Sequence, residues 1–174
     1  CIGSEQSGIR VRYSFDAPEL DGTLGAIRRA LPMLRERFLV LYGDTYLRID
    51  YADLAKAWRE SGLPAVMSVL RNEGRWDASN ARLEHGRIAA YDKRAPTPDM
   101  RWIDYGLSGL TRDALSAVDE DEHDLAALYN RLASLDQLCG YEATERFYEI
   151  GTPTGLRETD EFLRGLGTTA RKRP

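Results

Sequence analysis

The chain has 174 residues, 43% hydrophobic and 30% charged, which suits one compact domain with its own core and falls short of two. Acids outnumber bases by 28 to 24, for a net charge of −4; this is no footprint for a nucleic-acid backbone or an anionic membrane, and small molecules or proteins are the expected partners. Two cysteines, Cys1 and Cys139, cannot build a disulfide framework, no apolar run is long enough to span a bilayer, and the opening "CIGSEQSGIR" lacks the blocks of a secretory signal, so a reducing, cytoplasmic setting is expected.

In chain order, "IRVRYSF" (9–15) alternates apolar and polar residues and predicts a strand, with a turn at 18–22. "GTLGAIRRALPML" spaces Leu24, Ile27, Leu31 and Leu34 for a helix, with Thr23 as its N-cap and Pro32 ending or kinking it. The apolar run 38–42 predicts a strand covered on both faces. It ends on Gly43 and Asp44. A helix follows, capped by Asp50 and closed by Gly62, then a buried strand over 65–70. "ASNARLEHGRIAAYDK" reads as a hairpin turning at His85 and Gly86, and "KRAPTPDMR" as a loop. "WIDYGLSGL" is strand-like; a short helix from Thr111, a second over 124–134, and two extended segments around Ala143 follow. Thr152 and Pro153 open the last helix, and residues 166–174 read as a tail after a domain spanning 1–165. Strands alternating with helices predict an α/β fold with a mainly parallel, mixed, doubly wound sheet.

Ligands of such sheets lie beyond the carboxyl ends of the strands. An acid there, Asp44, is either a turn residue or a ligand-facing carboxylate, and Gly43 beside it would let a ligand approach the backbone. Glu149 in "RFYEIGTP" is the candidate second carboxylate. Together the two would make a hard oxygen site suited to Mg²⁺. Gly22, Thr23 and Gly25 between a strand and a helix form either a turn with a cap or a surface on which a flat ring or phosphate can rest. Lys93, next to Asp92, is either a solvated side chain or a point charge for a phosphate. His85 and His123 stand far from any metal-ligand spacing, the acidic run 119–124 lacks the pattern of a calcium loop, and neither a nucleophile elbow nor a P-loop occurs.

Taken in order, "DGTLGAIRRAL", "FLVLYGDTYL", "GRIAAYDKR", "WIDYGLSGL" and "RFYEIGTPTGL" resemble the sugar-1-phosphate nucleotidyltransferases over most of the chain. The resemblance implies a Rossmann-like nucleotidyltransferase domain joining a sugar 1-phosphate to a nucleoside triphosphate. It implies metal binding by Asp44 and Glu149, the latter standing where the family usually has aspartate. Gly22 and Thr23 would lie against the base, Asp92 and Lys93 would face the sugar and its phosphate, and the strand from Asp104 to Gly106 would line the sugar pocket. The family's glycine-rich opening loop has no counterpart here. The chain, which starts without methionine, is therefore expected to be N-terminally truncated by about sixty residues, two strand-helix units, and feeble or inactive. The likeness of "FYEIGTP" favours guanylyl transfer to mannose or heptose 1-phosphate. The alternatives are a non-catalytic sugar-nucleotide binding or regulatory relative and a glycosyltransferase, whose D-x-D motif is not found at Asp44.

Overall fold

The computed structural model describes residues 4–16, 18 and 20–170. A two-stranded hairpin, β1 (Glu5–Gln6) and β2 (Ile9–Arg10), opens the chain. Then come α1 (Gly22–Ala30), a 3-10 turn (Leu31–Met33) holding Pro32, β3 (Arg37–Leu41), β4 (Thr45–Tyr46), α2 (Tyr51–Ser61) and β5 (Ala65–Arg71). The hairpin β6 (Ala81–Glu84) and β7 (Arg87–Tyr91) leads to β8 (Trp102–Thr111), a 3-10 turn (Asp113–Ala117) and α3 (Leu125–Ser134). β9 (Leu138–Ala143), β10 (Tyr148–Glu149) and α4 (Pro153–Ala170) complete it. Cys1, Glu19 within the expected turn, and 171–174 of the expected tail lie outside the described residues.

Local chemistry explains most boundaries. The Asp50 carboxylate accepts from the backbone N–H of Ala52 and Asp53 at the start of α2, and Gly62 ends that helix in the left-handed region. His85 and Gly86 both take positive φ, as a tight two-residue hairpin turn requires. Thr152 Oγ1 accepts from Gly155 N at 3.0 Å, and Pro153 starts α4 where its missing N–H costs nothing.

The central sheet runs β3-β8-β5-β9-β7-β6. It is a mixed sheet, and the expectation of mainly parallel pairing is corrected. Among the described strands only β5 and β9 pair in parallel; β8 runs antiparallel between β3 and β5, and the β6–β7 hairpin adds further antiparallel pairs. Apolar runs report burial and not direction, so the sequence pattern could not separate these cases. On one face, α1 and α3 bury Leu24, Leu128 and Leu132 against Ala65, Met67 and Val69 of β5. On the other, Leu54 and Trp58 of α2 cover Val66 and Leu107. β5 is buried on both faces, as its unbroken apolar run predicts.

Two strand expectations change. Only Ile9–Arg10 of the span 9–15 pairs as a strand, and Tyr13 and Phe15 are exposed, because no described element offers a face for the alternating side chains. β3 is an edge of the sheet, with Phe38 and Val40 packed inward and Leu39 and Leu41 on the open side. The helix expected at Thr111 is a 3-10 turn, and α4 continues through 166–170.

Gly109 of β8 leaves the space that Trp58 fills: a Cβ there would stand 2.7 Å from the indole and 2.9 Å from Val66. Gly109→Ala is expected to destabilise the fold by about 1–3 kcal/mol, the usual cost of overpacking a core, read as a lower urea midpoint at unchanged slope.

Candidate active site

β3, β5 and β9 point the same way, the first two because both run antiparallel to β8, the third because it parallels β5. Their carboxyl ends therefore open on one rim. Past them the chain delivers Tyr42 and Asp44, the loop 72–80, and residues 144–147. Together with α3, β7 and the start of α4 they enclose a cleft of about 1290 Å³ lined by Thr23, Gly43, Asp44, Asp92, Lys93, Asp104, Gly106 and Glu149. Of the residues singled out in the sequence as ligand-facing, Gly22 and Gly25 are not on its wall.

Asp44 and Glu149 come from segments more than a hundred positions apart and stand beside each other on a two-stranded ribbon, both lining the cleft. β4 and β10 pair antiparallel, with Glu149 opposite Thr45, and Ile150 N donates to Asp44 O at 2.9 Å. Thr45 Oγ1 donates to the Asp44 carboxylate at 3.0 Å. α4 holds the ribbon from outside: Thr159 Oγ1 donates to Glu149 O at 2.9 Å, and the ring of Phe162 stacks on Tyr148 at 4.0 Å. Among the described residues no three His, Cys, Asp or Glu side chains gather as a metal cage. A cation at this ribbon would rest on two carboxylates and complete its shell with water and ligand oxygens, which is the habit of Mg²⁺.

Asp104 forms the floor, its side chain 5% exposed. Oδ1 accepts from Gly106 N at 2.9 Å, while Oδ2 meets Tyr91 Oη at 3.3 Å and Lys93 Nζ at 3.3 Å. Asn80 Oδ1 accepts from Asp104 N and fixes the strand beneath. Gly106 has φ +90°, so a side chain there would be strained, and its carbonyl accepts from Tyr42 N. The Lys93 ammonium also lies over the Tyr42 ring, 5.3 Å from its centroid. The Tyr42 phenol is pushed above its ordinary value, first by burial and then by Asp104, Asp124 and Asp44.

Other expected residues have structural duties. Thr23 lies within α1, whose N-cap position is Asp21, and so it does not cap that helix; its Oγ1 accepts from Leu125 N of α3 at 3.0 Å and ties the two helices together. Gly22 has φ +64°, and a Cβ on it would stand 2.5 Å from the carbonyl oxygen of His123, which explains the glycine without a ligand. A Cβ on Gly43 would meet nothing, so the protein itself sets no demand there. Asp92 lines the cleft, but its Oδ1 accepts from the N–H groups of Ala95 and Arg94, which hold its carboxyl below the usual range.

The cleft carries seven carboxylates (Asp44, Asp77, Asp92, Asp104, Asp124, Glu149 and Glu158) against four basic side chains. Each base is already paired: Arg75 with Glu73, Lys93 with Asp104, Arg94 with Asp124, Arg146 with Glu158. Sequence reading overlooked Tyr42, Tyr91 and Asn80, which read as the end of a strand and as two positions of the hairpin over 78–93. Trp76 was the available signal, a lone indole in the polar run "NEGRWDASN".

No family model matches the sequence, and comparison with curated proteins finds no match. Solved structures do share the fold. A protein of Bacillus anthracis described as a glucose-1-phosphate thymidylyltransferase, solved with a sucrose, superposes with TM-score 0.78 at 15% identity over 90% of this chain and 66% of its own. The inositol-1-phosphate CTP transferase of T. maritima gives 0.63 at 16% identity over 78% and 58%. HddC from Yersinia pseudotuberculosis, complexed with GMP-PN, gives 0.60 at 21% over 84% and 64%. The fold is that of sugar-1-phosphate nucleotidyltransferases, and the chain spans about three-fifths to two-thirds of the length of these structures.

Proposed function

We propose that the cleft transfers a nucleotidyl group from a nucleoside triphosphate to a sugar 1-phosphate, releasing pyrophosphate, with guanylyl transfer to a mannose- or heptose-like sugar as the particular reaction. The observation that carries this reading is the pairing of β4 with β10, which brings the segments of Asp44 and Glu149 together on the cleft wall, on a fold shared with enzymes of that class. The HddC complex with GMP-PN supports the choice of guanine. Helices on both faces of the sheet support a doubly wound, Rossmann-like domain over 1–165.

Asp44 and Glu149 fit Mg²⁺ by their chemistry, and when bound it would neutralise phosphate charge that a cleft rich in carboxylates repels. Lys93, fixed by Asp104 and Tyr42, binds the acceptor phosphate. An oxygen of that phosphate attacks the α-phosphorus in line as the bond to pyrophosphate breaks; the residues orient the partners and do no covalent work. Thr23 faces the base from the α1 side.

Since all four bases of the cleft are paired with acids, little free positive charge remains for the leaving group, and turnover is expected to be feeble. The same observation favours a second reading, a binding or regulatory module without chemistry. Pyrophosphate release, measured for the full chain with each nucleoside triphosphate and each of mannose, heptose and glucose 1-phosphate, separates them. Slow Mg²⁺-dependent release with one pair supports transfer. Calorimetric binding without release supports the second reading, and binding of neither substrate ends both.

A further inference from the structure

Trp76 and Arg146 leave the carboxyl ends of β5 and β9, the parallel pair, and so stand side by side at the mouth of the cleft. The loop bearing Trp76 is pinned. Asn72, fully buried, donates through Nδ2 to Asp77 O at 2.7 Å and Ser79 Oγ at 3.0 Å, and its Oδ1 accepts from Trp76 N at 3.2 Å. Trp76 as a residue is nevertheless 39% exposed. Arg146 Cζ lies 5.7 Å from the Trp76 ring and 5.0 Å from Tyr148. Its Nη2 bonds Glu158 of α4, and no other hydrogen bond to the guanidinium occurs among the described residues. The group is thus held by two rings and one carboxylate, with Nε and Nη1 left as donors at the cleft wall.

We propose that Trp76 and Arg146 form the specificity element for the acceptor, the indole packing on the apolar face of a sugar ring and the guanidinium edge taking its 1-phosphate alongside Lys93. This rests on the transferase reading, in which the nucleotide lies against Thr23. A hexose 1-phosphate offers a pyranose ring with an apolar C–H face and an anion bonded directly to that ring, whereas in the nucleotide the phosphates stand one carbon away from a smaller ribose. The opposite wall, where Thr23 bonds the start of α3, carries the guanidinium of Arg94, which is paired with Asp124 but has no ring packed against it among the described residues. Lys93 alone supplies charge without direction, since an ammonium is a point donor.

The test is calorimetric titration of the full chain and its variants with mannose 1-phosphate, free mannose, inorganic phosphate and Mg²⁺ with GTP. Trp76→Ala and Arg146→Gln are each expected to weaken mannose 1-phosphate at least ten-fold and leave GTP within two-fold. Arg146→Lys should recover part of the loss and Trp76→Phe most of it, which a folding defect would not do. Free mannose should feel only Trp76, and inorganic phosphate only Arg146. Undiminished sugar-phosphate affinity in both variants, loss of GTP in place of the sugar phosphate, or a wild-type chain that binds GTP but no sugar 1-phosphate would each overturn the assignment. A wild-type chain that binds neither substrate would instead overturn the transferase reading beneath it.

Discussion

Asp44→Ala is expected to lose on the order of 100-fold in Mg²⁺-dependent affinity for GTP while the thermal midpoint stays nearly unchanged. Even partners outside a metal's direct shell affect affinity by about 10–100-fold, so removal of one of two protein ligands belongs at or above that scale. The small stability effect follows from the site: the carboxylate is exposed and its one hydrogen bond is to Thr45, and exposed substitutions usually stay within about 0.5 kcal/mol. The sign without metal is the stronger test. With seven carboxylates against four bases on the wall, deleting an acid should leave metal-free GTP affinity equal or tighter, because like-charge repulsion falls. Calorimetry in EDTA and in Mg²⁺ reads both numbers. Glu149→Gln should behave alike, and the double variant should add little to either single one, since two ligands of one ion act as a unit. Equal Mg²⁺ dependence in all four proteins would remove the ribbon from the chemistry.

The fold was legible where pattern and burial coincide. Asp50, Gly62, His85 with Gly86, and Thr152 with Pro153 mark real boundaries because caps and turns are local chemistry. Strand direction was not, since β8 carries the same kind of apolar run as a parallel strand. Asp44 and Glu149 could be singled out one at a time as acids at strand ends, but the ribbon that joins them is a long-range pairing with no local trace. Lys93 and Asp104 likewise stood out separately, and their ion pair over a buried floor did not. Thr23 shows the opposite error: a hydroxyl beside a helix start reads as that helix's own cap, and it serves α3 instead.

The fold is expected to fail steeply in alkali. Tyr91 and Tyr129 are buried and their phenols are pushed well above the ordinary range, first by burial; Tyr42 is raised by burial and then by its carboxylate neighbours. A phenol whose folded value exceeds its unfolded value contributes stability in full below about pH 10, where the unfolded chain is still protonated, and loses it above. Each such group removes about 1.4 kcal/mol per pH unit beyond that point. These three alone remove about 4 kcal/mol per unit, and Tyr105 and Tyr141, also raised by burial, add to it, against a total near 5–15 kcal/mol for a domain. Cys139, raised by burial, adds to the slope from about pH 8.5. Tyrosinate absorbance at these rings should therefore appear together with loss of circular dichroism rather than before it. Tyr129→Phe should flatten the alkaline fall by about a fifth, as one of five raised phenols. Asp104→Asn should flatten it less, because burial and not Asp104 is the leading cause at both Tyr42 and Tyr91. Tyrosinate forming with the fold intact would show that water reaches the floor of the cleft, and the rigid seat assigned to Lys93 would have to be given up.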